Sequence, residues 1–450
     1  MSNFRPINRD TGFLLPPSVD EWLPQRHLAR FVVEVIDRLD LAALEQAYRG
    51  SGSASYHPAM LLALLIYGYA TRVFSSRALE RATYDSVAVR FIAGNEHPDH
   101  DTIANFRKRF LGQIEPLFVE VLKLARAMGM LKLGTVALDG TKVHANASRH
   151  SALSYGHARK LERQLRREVQ QLLKLAEAAD GVNTPDGMSI PEELERREQR
   201  LAAIAEAQAK IEARVAEREQ TEYQSKLAVR EEKARRTGKK PRGRPPEPPS
   251  GGVAAKEQIN LTDEDSRIMP VAGGGFDQCY NAQAAVATGS LLIVANALTQ
   301  ATNDHQQLAP MLGQLTSLPK GLGRIRRLLA DNGYFSAANV EHCAAAKVEP
   351  LIALGREAHH LGWRRRFAPA PKAPPPSATA LERMAHRLKT PAGRQLYALR
   401  KQTPEPVFGS IKSAMGFRQF LLRGLPNVRG EWNLVTMSWN IKRMFALQPD

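Results

Sequence analysis

The run LKLGTVALDGTKVHA, residues 131–145, decides how the chain is read. Residues 135–138 are β-branched or apolar, and Asp139-Gly140 follows at once. That pattern predicts a short buried strand carrying a carboxylate, and then a tight turn. A buried carboxylate is costly unless it is paired or binds a cation. Asp139 therefore either caps its own turn, a common use of Asp-Gly, or holds a metal. Two later stretches favour the metal. In RIRRLLADNGYFS, residues 324–336, Ile325, Leu328, Leu329 and Ala330 predict a second strand, which ends in Asp331-Asn332-Gly333. In TPEPVFGSIK, residues 403–412, Thr403 suits an N-cap and Pro404 the first helical position. Glu405 then falls in the first turn of a helix whose apolar face is Val407, Phe408 and Ile411. Lys412, about two turns on, projects from the same side as Glu405. Two strand-end carboxylates and one helix-borne carboxylate suit a hard divalent cation such as Mg2+, which prefers oxygen ligands.

Asp139-Gly140-Thr141, then Asp331-Asn332-Gly333-Tyr334, then Glu405-Pro-Val-Phe-Gly-Ser-Ile-Lys412 stand in that order along the chain. With the run from Gly416 to Gly424 (GFRQFLLRG) and Gly430-Glu431-Trp432, they resemble the bacterial insertion-sequence transposases of the DDE class, in the branch grouped with the IS-five and IS-eleven-eighty-two elements. The resemblance covers nearly the whole chain. It implies an α/β fold with a ribonuclease H-like catalytic core. It also implies that Asp139, Asp331 and Glu405 are the catalytic residues and ligands of two Mg2+ ions, with Mn2+ as a substitute. Cleavage of DNA at the ends of an insertion sequence and strand transfer to target DNA would follow. Related transposases carry a Tyr-Arg-Glu-Lys signature with three residues between Arg and Glu. Tyr397, Arg400, Glu405 and Lys412 match it, except that four residues separate Arg400 from Glu405. Lys401 would restore the spacing, so the basic position belongs to either Arg400 or Lys401. That residue and Lys412 would contact phosphates near the cut.

Composition points the same way. The 450 residues allow two or three domains, and 43% apolar with 24% charged residues is ordinary for a globular chain. The net charge of +17, with a pI near 10.0, is not ordinary and suggests a polyanionic partner. The longest wholly apolar run, residues 59–67, is far short of the ~20 residues of a spanning helix. MSNFRPINRD lacks an apolar signal core. No membrane partner is expected, and double-stranded DNA, as terminal inverted repeats and as target, is the expected partner. Cys279 and Cys343 are too few for a disulfide framework or a cysteine-built zinc site. A reducing, nucleoid-associated cytoplasmic location fits. No P-loop occurs, so no nucleotide cofactor is expected, and no Gly-x-Ser-x-Gly elbow supports a serine hydrolase.

Residues 1–128 read as an all-α domain for DNA binding, dimerisation or both. Apolar spacing predicts helices over 20–47, from Pro58, over 78–84 and over 102–109, the last carrying Arg107, Lys108 and Arg109. A helix-turn-helix-like reader using those three cations and a dimerisation module with a basic surface are both open. His97 and His100 fit a helix start at Pro98-Asp99 rather than a metal.

Residues 129–450 read as the catalytic domain, interrupted over 150–256 by a helical hairpin of coiled-coil character. One stripe is Leu161, Leu165, Val169, Leu172 and Leu175; the other is Leu194, Leu201, Ile204, Ile211 and Val215. A turn over 180–187 would join them, with a capping box at Ser189 and Glu192. KARRTGKKPRGR, residues 233–244, has seven basic residues and no acidic one, and reads as an extended tip. Its Arg242-Gly243-Arg244-Pro245 is similar to an AT-hook core, which lays arginines in narrow minor grooves; nonspecific phosphate binding is the alternative.

Further strands are expected over 268–271, 280–287, 291–297 and 350–354. Asn303-Asp304 is expected to cap a helix through Leu312, and Asp263 and Asp265 to be structural. Further helices are expected over 337–346 and 431–445, and the run 363–366 is basic. A homodimer or higher oligomer on DNA is the expected assembly. The rival functions are a DNA-binding regulator with a dead acidic site and a ribonuclease H-like nuclease without strand transfer.

Overall fold

The computed structural model describes residues 18–48, 55–178, 190–238, 243–355 and 372–448. Arg242, the expected turn over 180–187, Ser189 of the expected capping box and the basic run 363–366 lie outside the described residues.

Residues Met1–Ala145, Met269–Gly275 and Cys279–Asp450 form one compact unit. It opens with helices α1 (Val19–Trp22), α2 (Leu28–Ile36) and α3 (Ala42–Gln46) where one helix over 20–47 was expected. Pro24 explains the first break, since it offers no N–H and disfavours helix at the residue before it. Asp40 restarts the chain by accepting the amide of Ala42 at 3.0 Å. Helix α4 (Pro58–Thr71) is apolar on every side and buried on nearly all of them. Three shorter helices follow, α5 (Ser76–Asp85), α6 (Val87–Ile92) and α7 (His100–Phe110). Asp99 caps α7 through the amide of Thr102 at 2.6 Å. His97 and His100 pair with Thr83 and Glu80 at 3.0 and 2.8 Å. Helix α8 (Ile114–Ala127) is an addition to the expected elements, although Ile114, Leu117, Phe118, Val121, Leu122 and Ala125 have plain helical spacing.

The sheet is built around β1 (Thr135–His144). On one side β1 pairs antiparallel with β5 (Phe276–Ala287), from Val136 opposite Ala287 to His144 opposite Cys279. On the other it runs parallel to β7 (Arg327–Ala330), with Ala137 beside Leu329. Parallel to β7 lies β8 (Glu349–Ile352), and β6 (Ile293–Thr299) is antiparallel on the outer side of β5. The strand order is β4-β5-β1-β7-β8, with β4 at Arg267–Pro270 and β6 also on β5. Helices α11 (Leu308–Ser317) and α12 (Ala337–Ala345) lie between the later strands in sequence. The parallel strands need such crossovers, whereas β5 and β6 are joined by a short turn.

Three more helices follow residue 372: α13 (Ala380–Lys389), α14 (Pro391–Ala398) and α15 (Pro404–Lys412). The last, α16 (Leu425–Leu447), is longer than the expected 431–445 and is buried almost all round from Val428 to Ile441. It packs on β6, on α4 and on α8, so the helices of residues 18–127 and the sheet share one core, with no break in contact at residue 128.

Within that core Glu431 is fully buried. Its carboxylate accepts the Tyr69 hydroxyl at 2.7 Å and the amides of Leu421 and Leu422 at 3.1 Å. Burial pushes its pKa above the ordinary carboxylate range, opposed by those donors and by Arg107.

Residues Asn146–Ile268 and Phe276–Gln278 form a second unit. It holds α9 (Tyr155–Ala178), the 48-residue α10 (Ile190–Thr237) and a small antiparallel pair, β2 (Ala152–Ser154) with β3 (Gln258–Asn260). Gln208 reaches Glu162 and Arg197 reaches Glu168, so the two helices run antiparallel. Leu165, Ile204, Ile211 and Val215 form their common apolar seam. The basic run does not start as an extended tip: residues 233–237 continue α10, because no Gly or Pro occurs between Pro191 and Gly238.

Glu431→Leu should lower stability by about 1–3 kcal/mol, because the buried Tyr69 hydroxyl and the part-buried amides of Leu421 and Leu422 lose their acceptor. Urea unfolding measures this; a loss below ~1 kcal/mol would mean the donors find other partners.

Candidate active site

The site is built from β1 outward. Asp139 is not at the end of its strand, and no turn follows it: β1 continues through Gly140 to His144. The glycine is there for space. Gly140 lies directly opposite Gln283 of β5. A Cβ at 140 would collide with the Gln283 amide and come within 2.7 Å of Asp304 Oδ1. Alternation along β1 puts Asp139 and Thr141 on one face and Gly140 and Lys142 on the other.

Asp331 follows the last residue of β7 and caps the 3-10 turn Asn332–Tyr334 by accepting the amide of Gly333 at 2.9 Å. Since Ala137 and Leu329 are parallel partners, Asp139 and Asp331, each two residues further on, are brought to the same level of the sheet. The Asp139 side chain is only 18% exposed. Burial pushes its pKa up to about 7; Arg400 opposes this and Asp331 and Asp304 add to it.

The third carboxylate enters from α15. Arg400 bridges to it: Nη1 lies 3.5 Å from Asp139 Oδ2 and Nη2 lies 3.8 Å from Glu405 Oε1. The Arg400 Nε is buried without a partner among the described residues, while Lys401 is exposed. Thr403 does not cap α15 as expected. Its hydroxyl donates back to the Leu399 carbonyl at 2.6 Å, continuing the turns that follow α14. Lys412, at the other end of α15, donates to Thr141 Oγ1 at 2.6 Å and to the Lys142 carbonyl at 2.8 Å. It ties α15 to β1 just beyond Asp139, and burial lowers its pKa.

The remaining expected DNA contacts divide. Arg107 is a correction: it is buried, and it donates to Tyr69 and to the Phe74 carbonyl at 3.3 and 3.1 Å. It falls on the same stripe of α7 as Ile103, Phe106 and Phe110, which faces the core. Lys108 and Arg109 are exposed, and the Arg109 guanidinium also covers the Tyr48 and Phe110 rings. Arg244 is exposed and pairs with Glu247 at 3.0 Å.

Four residues beyond the expected set form a polar cluster on the Gly140 face of β1: Asn281, Gln283, Asp304 and Tyr334. Asp304 does not cap α11, which starts at Leu308. Its Oδ1 accepts the side-chain amides of Asn281 and Gln283, both at 2.7 Å, and lies 4.0 Å from Lys142 Nζ. The Tyr334 hydroxyl donates to Gln283 Oε1. Burial raises the Tyr334 pKa well above its ordinary value, and Asp304, Asp139 and Asp331 all add to the shift.

The donor set fits a hard cation. Asp139 and Asp331 are oxygen donors near enough for the Asp331 charge to act on Asp139, and the burial that raises Asp139 is what a bound divalent charge would relieve. Among the described residues no three Asp, Glu, His or Cys side chains form a ready-made cluster; Arg400 stands between Asp139 and Glu405.

Residues 17–109 match the family model described as Transposase domain (DUF772), and residues 373–445 match the Transposase DDE domain. Both matches are to transposase domains, and together they support an insertion-sequence DDE transposase. The second match contains Arg400, Glu405 and Lys412; Asp139 and Asp331 lie outside it, and Arg400 and Lys412 reach β1 from it. It implies a ribonuclease H-like core, and transposases of this class use a divalent metal and bind DNA. No curated protein and no solved structure matches the chain. Among the described residues no single helix is long and apolar enough to cross a membrane.

Because the folded Asp139 pKa lies above its unfolded value, its favourable contribution is complete below pH ~4 and is lost as pH rises through about 7. Asp139→Asn should therefore stabilise the metal-free protein by about 1–2 kcal/mol at pH 8, with the gain vanishing near pH 4. Thermal unfolding at both pH values reads this, and a mutant less stable than wild type at pH 8 would contradict it.

Proposed function

We propose that this transposase cuts DNA at the ends of its insertion sequence and joins the freed 3′-hydroxyl to target DNA. The observation that carries the reading is Arg400: one guanidinium lies within 4.0 Å of Asp139 on β1 and of Glu405 on α15, and Asp331 directly follows β7, the strand parallel to β1. In this reading Asp139, Asp331 and Glu405 hold two Mg2+ ions, for which Mn2+ substitutes. When bound, these supply Lewis acidity for cleaving the phosphodiester. Arg400 keeps a positive charge between the carboxylates and is placed to meet a phosphate, with Lys412 behind it at Thr141. No side-chain base is required of the chain.

Affinity for DNA belongs elsewhere in this reading. The +17 net charge, the helices of residues 18–127 with Lys108 and Arg109, and the basic run 233–244 supply it. The residues between β1 and β5 form a helical hairpin inserted into a ribonuclease H-like core. The protein acts as a dimer or higher oligomer on the two element ends, in a nucleoid-associated, cytoplasmic setting.

Glu405→Gln keeps the size and helix position but removes one charge. Cleavage of the element's ends in Mg2+ should fall by at least ~100-fold while binding to those ends is kept. If Glu405 only serves the helix dipole, the cost is ~0.3–1 kcal/mol of stability with cleavage retained. Near-normal cleavage would remove Glu405 from the catalytic set.

Replacing the seven basic residues of 233–244 by glutamine should flatten the dependence of log affinity on log salt. Each lost phosphate contact is worth about 0.9 in that slope. An unchanged slope across several salt concentrations means that this run does not touch DNA.

A further inference from the structure

Asn281, Gln283 and Tyr334 are fully buried, the first two on the Gly140 face of the sheet, and the proposed chemistry makes no direct use of any of them. A buried polar group is retained at a cost unless its hydrogen bonds are made. Here they are made in one directed chain. The Tyr334 hydroxyl donates to Gln283 Oε1. The Gln283 amide then donates to Asp304 Oδ1 at 2.7 Å and to Asn281 Oδ1 at 3.0 Å. The Asn281 amide donates to the same Asp304 oxygen at 2.7 Å and to the Ala301 carbonyl at 3.1 Å.

The direction of this chain is fixed. If the Gln283 amide were turned over, its oxygen would face the Asp304 carboxylate oxygen, and two acceptors would meet. The carboxylate, which can only accept, thus holds the Gln283 nitrogen toward itself and leaves Oε1 to accept from the Tyr334 hydroxyl. Tyr334 also belongs to the turn that Asp331 caps. Its carbonyl accepts the Asn339 amide at 2.7 Å, and Asn339 also reaches the carbonyl of His305, next to Asp304, at 2.9 Å. Gln283 is the direct partner of Gly140, the neighbour of Asp139. The chain therefore runs from the turn behind Asp331, across β1 at a residue without a side chain, to β5.

We propose that Tyr334, Gln283 and Asp304 are positioning residues that hold Asp139 and Asp331 at the separation a divalent cation needs. The inference rests on the metal-dependent reading above. It gives Gly140 a role in the site, since any side chain there would enter the space that Gln283 and Asp304 share. The side-chain hydrogen bonds of these three residues go to one another and to Asn281 rather than to Asp139 or Asp331, so they act through the backbone of β1 and of the turn after β7; supporting groups around metal ligands typically govern affinity by about 10–100-fold.

The test is Mn2+ binding to the full chain, followed by loss of the free-ion electron paramagnetic resonance signal, for wild type, Tyr334→Phe and Asp304→Asn. Tyr334→Phe keeps the ring and removes the donor. Asp304→Asn, at a side chain 24% exposed, keeps the shape and removes the charge, and it guards against a folding defect in the first variant. Both should weaken Mn2+ binding by about 10–100-fold. End cleavage by Tyr334→Phe should recover when Mn2+ is raised by the same factor. A merely structural role would lower the melting temperature without recovery at high Mn2+. Wild-type Mn2+ affinity in both variants overturns the positioning role and leaves the active-site reading intact. Wild-type protein that binds no Mn2+ at millimolar concentration overturns that reading, and this inference with it.

Discussion

The parallel pairing of β1 with β7 is the constraint on which the site depends. Two strands in parallel register carry residues at equal offsets to the same level, so Ala137 beside Leu329 brings Asp139 and Asp331 side by side. Two neighbouring carboxylates repel, and burial of Asp139 makes its charge costlier still. The surroundings answer with cations and donors rather than with apolar packing. Arg400 approaches from one side, and the Gly140 and Gly333 amides donate to Asp139 and Asp331. With burial the largest influence on Asp139, these partners do not bring its carboxyl back to the ordinary range.

Much of this was legible in residues 131–145, 324–336 and 403–412. The short apolar runs gave the strands, and Pro404 with the Val407, Phe408 and Ile411 face gave the helix. The errors come from local rules that tertiary contacts override. Asp139-Gly140 has turn chemistry, but the glycine serves a strand whose neighbours fill its side-chain space. Thr403 and Asp304 have N-cap chemistry, yet Thr403 continues preceding turns and Asp304 is captured by two amides from β5. Cap preferences concern the nearest backbone and carry no information about a strand more than 20 residues away in sequence.

Some missed features did leave a signal. Arg107 lies four residues after Ile103 and three before Phe110, squarely on the apolar stripe of α7, so its burial was readable from spacing. Asn281 and Gln283 alternate within the otherwise apolar run 279–287. Polar residues at period two in a buried strand must find partners, and that requirement alone marks one face of β5 as part of a polar network. Their partner could not be named from sequence, because Asp304 and Tyr334 reach them only through the crossing of β6, β7 and the loops that follow.

The core shared by α16 links the two matched regions. Helix α16 contacts β6, α4 and α8, and its Trp432 indole donates to the Gln283 carbonyl at 3.2 Å. One residue earlier, Glu431 holds Tyr69 of α4 and the amides at 421 and 422. That segment in turn lies against the end of β1, where His144 exchanges backbone hydrogen bonds with Arg418 and Phe420. A displacement of α4 relative to α16 would therefore be felt at β1 through well-packed, bonded groups rather than through a flexible linker. The helices matched to one transposase domain and the helix carrying Glu405 thus meet on a common scaffold.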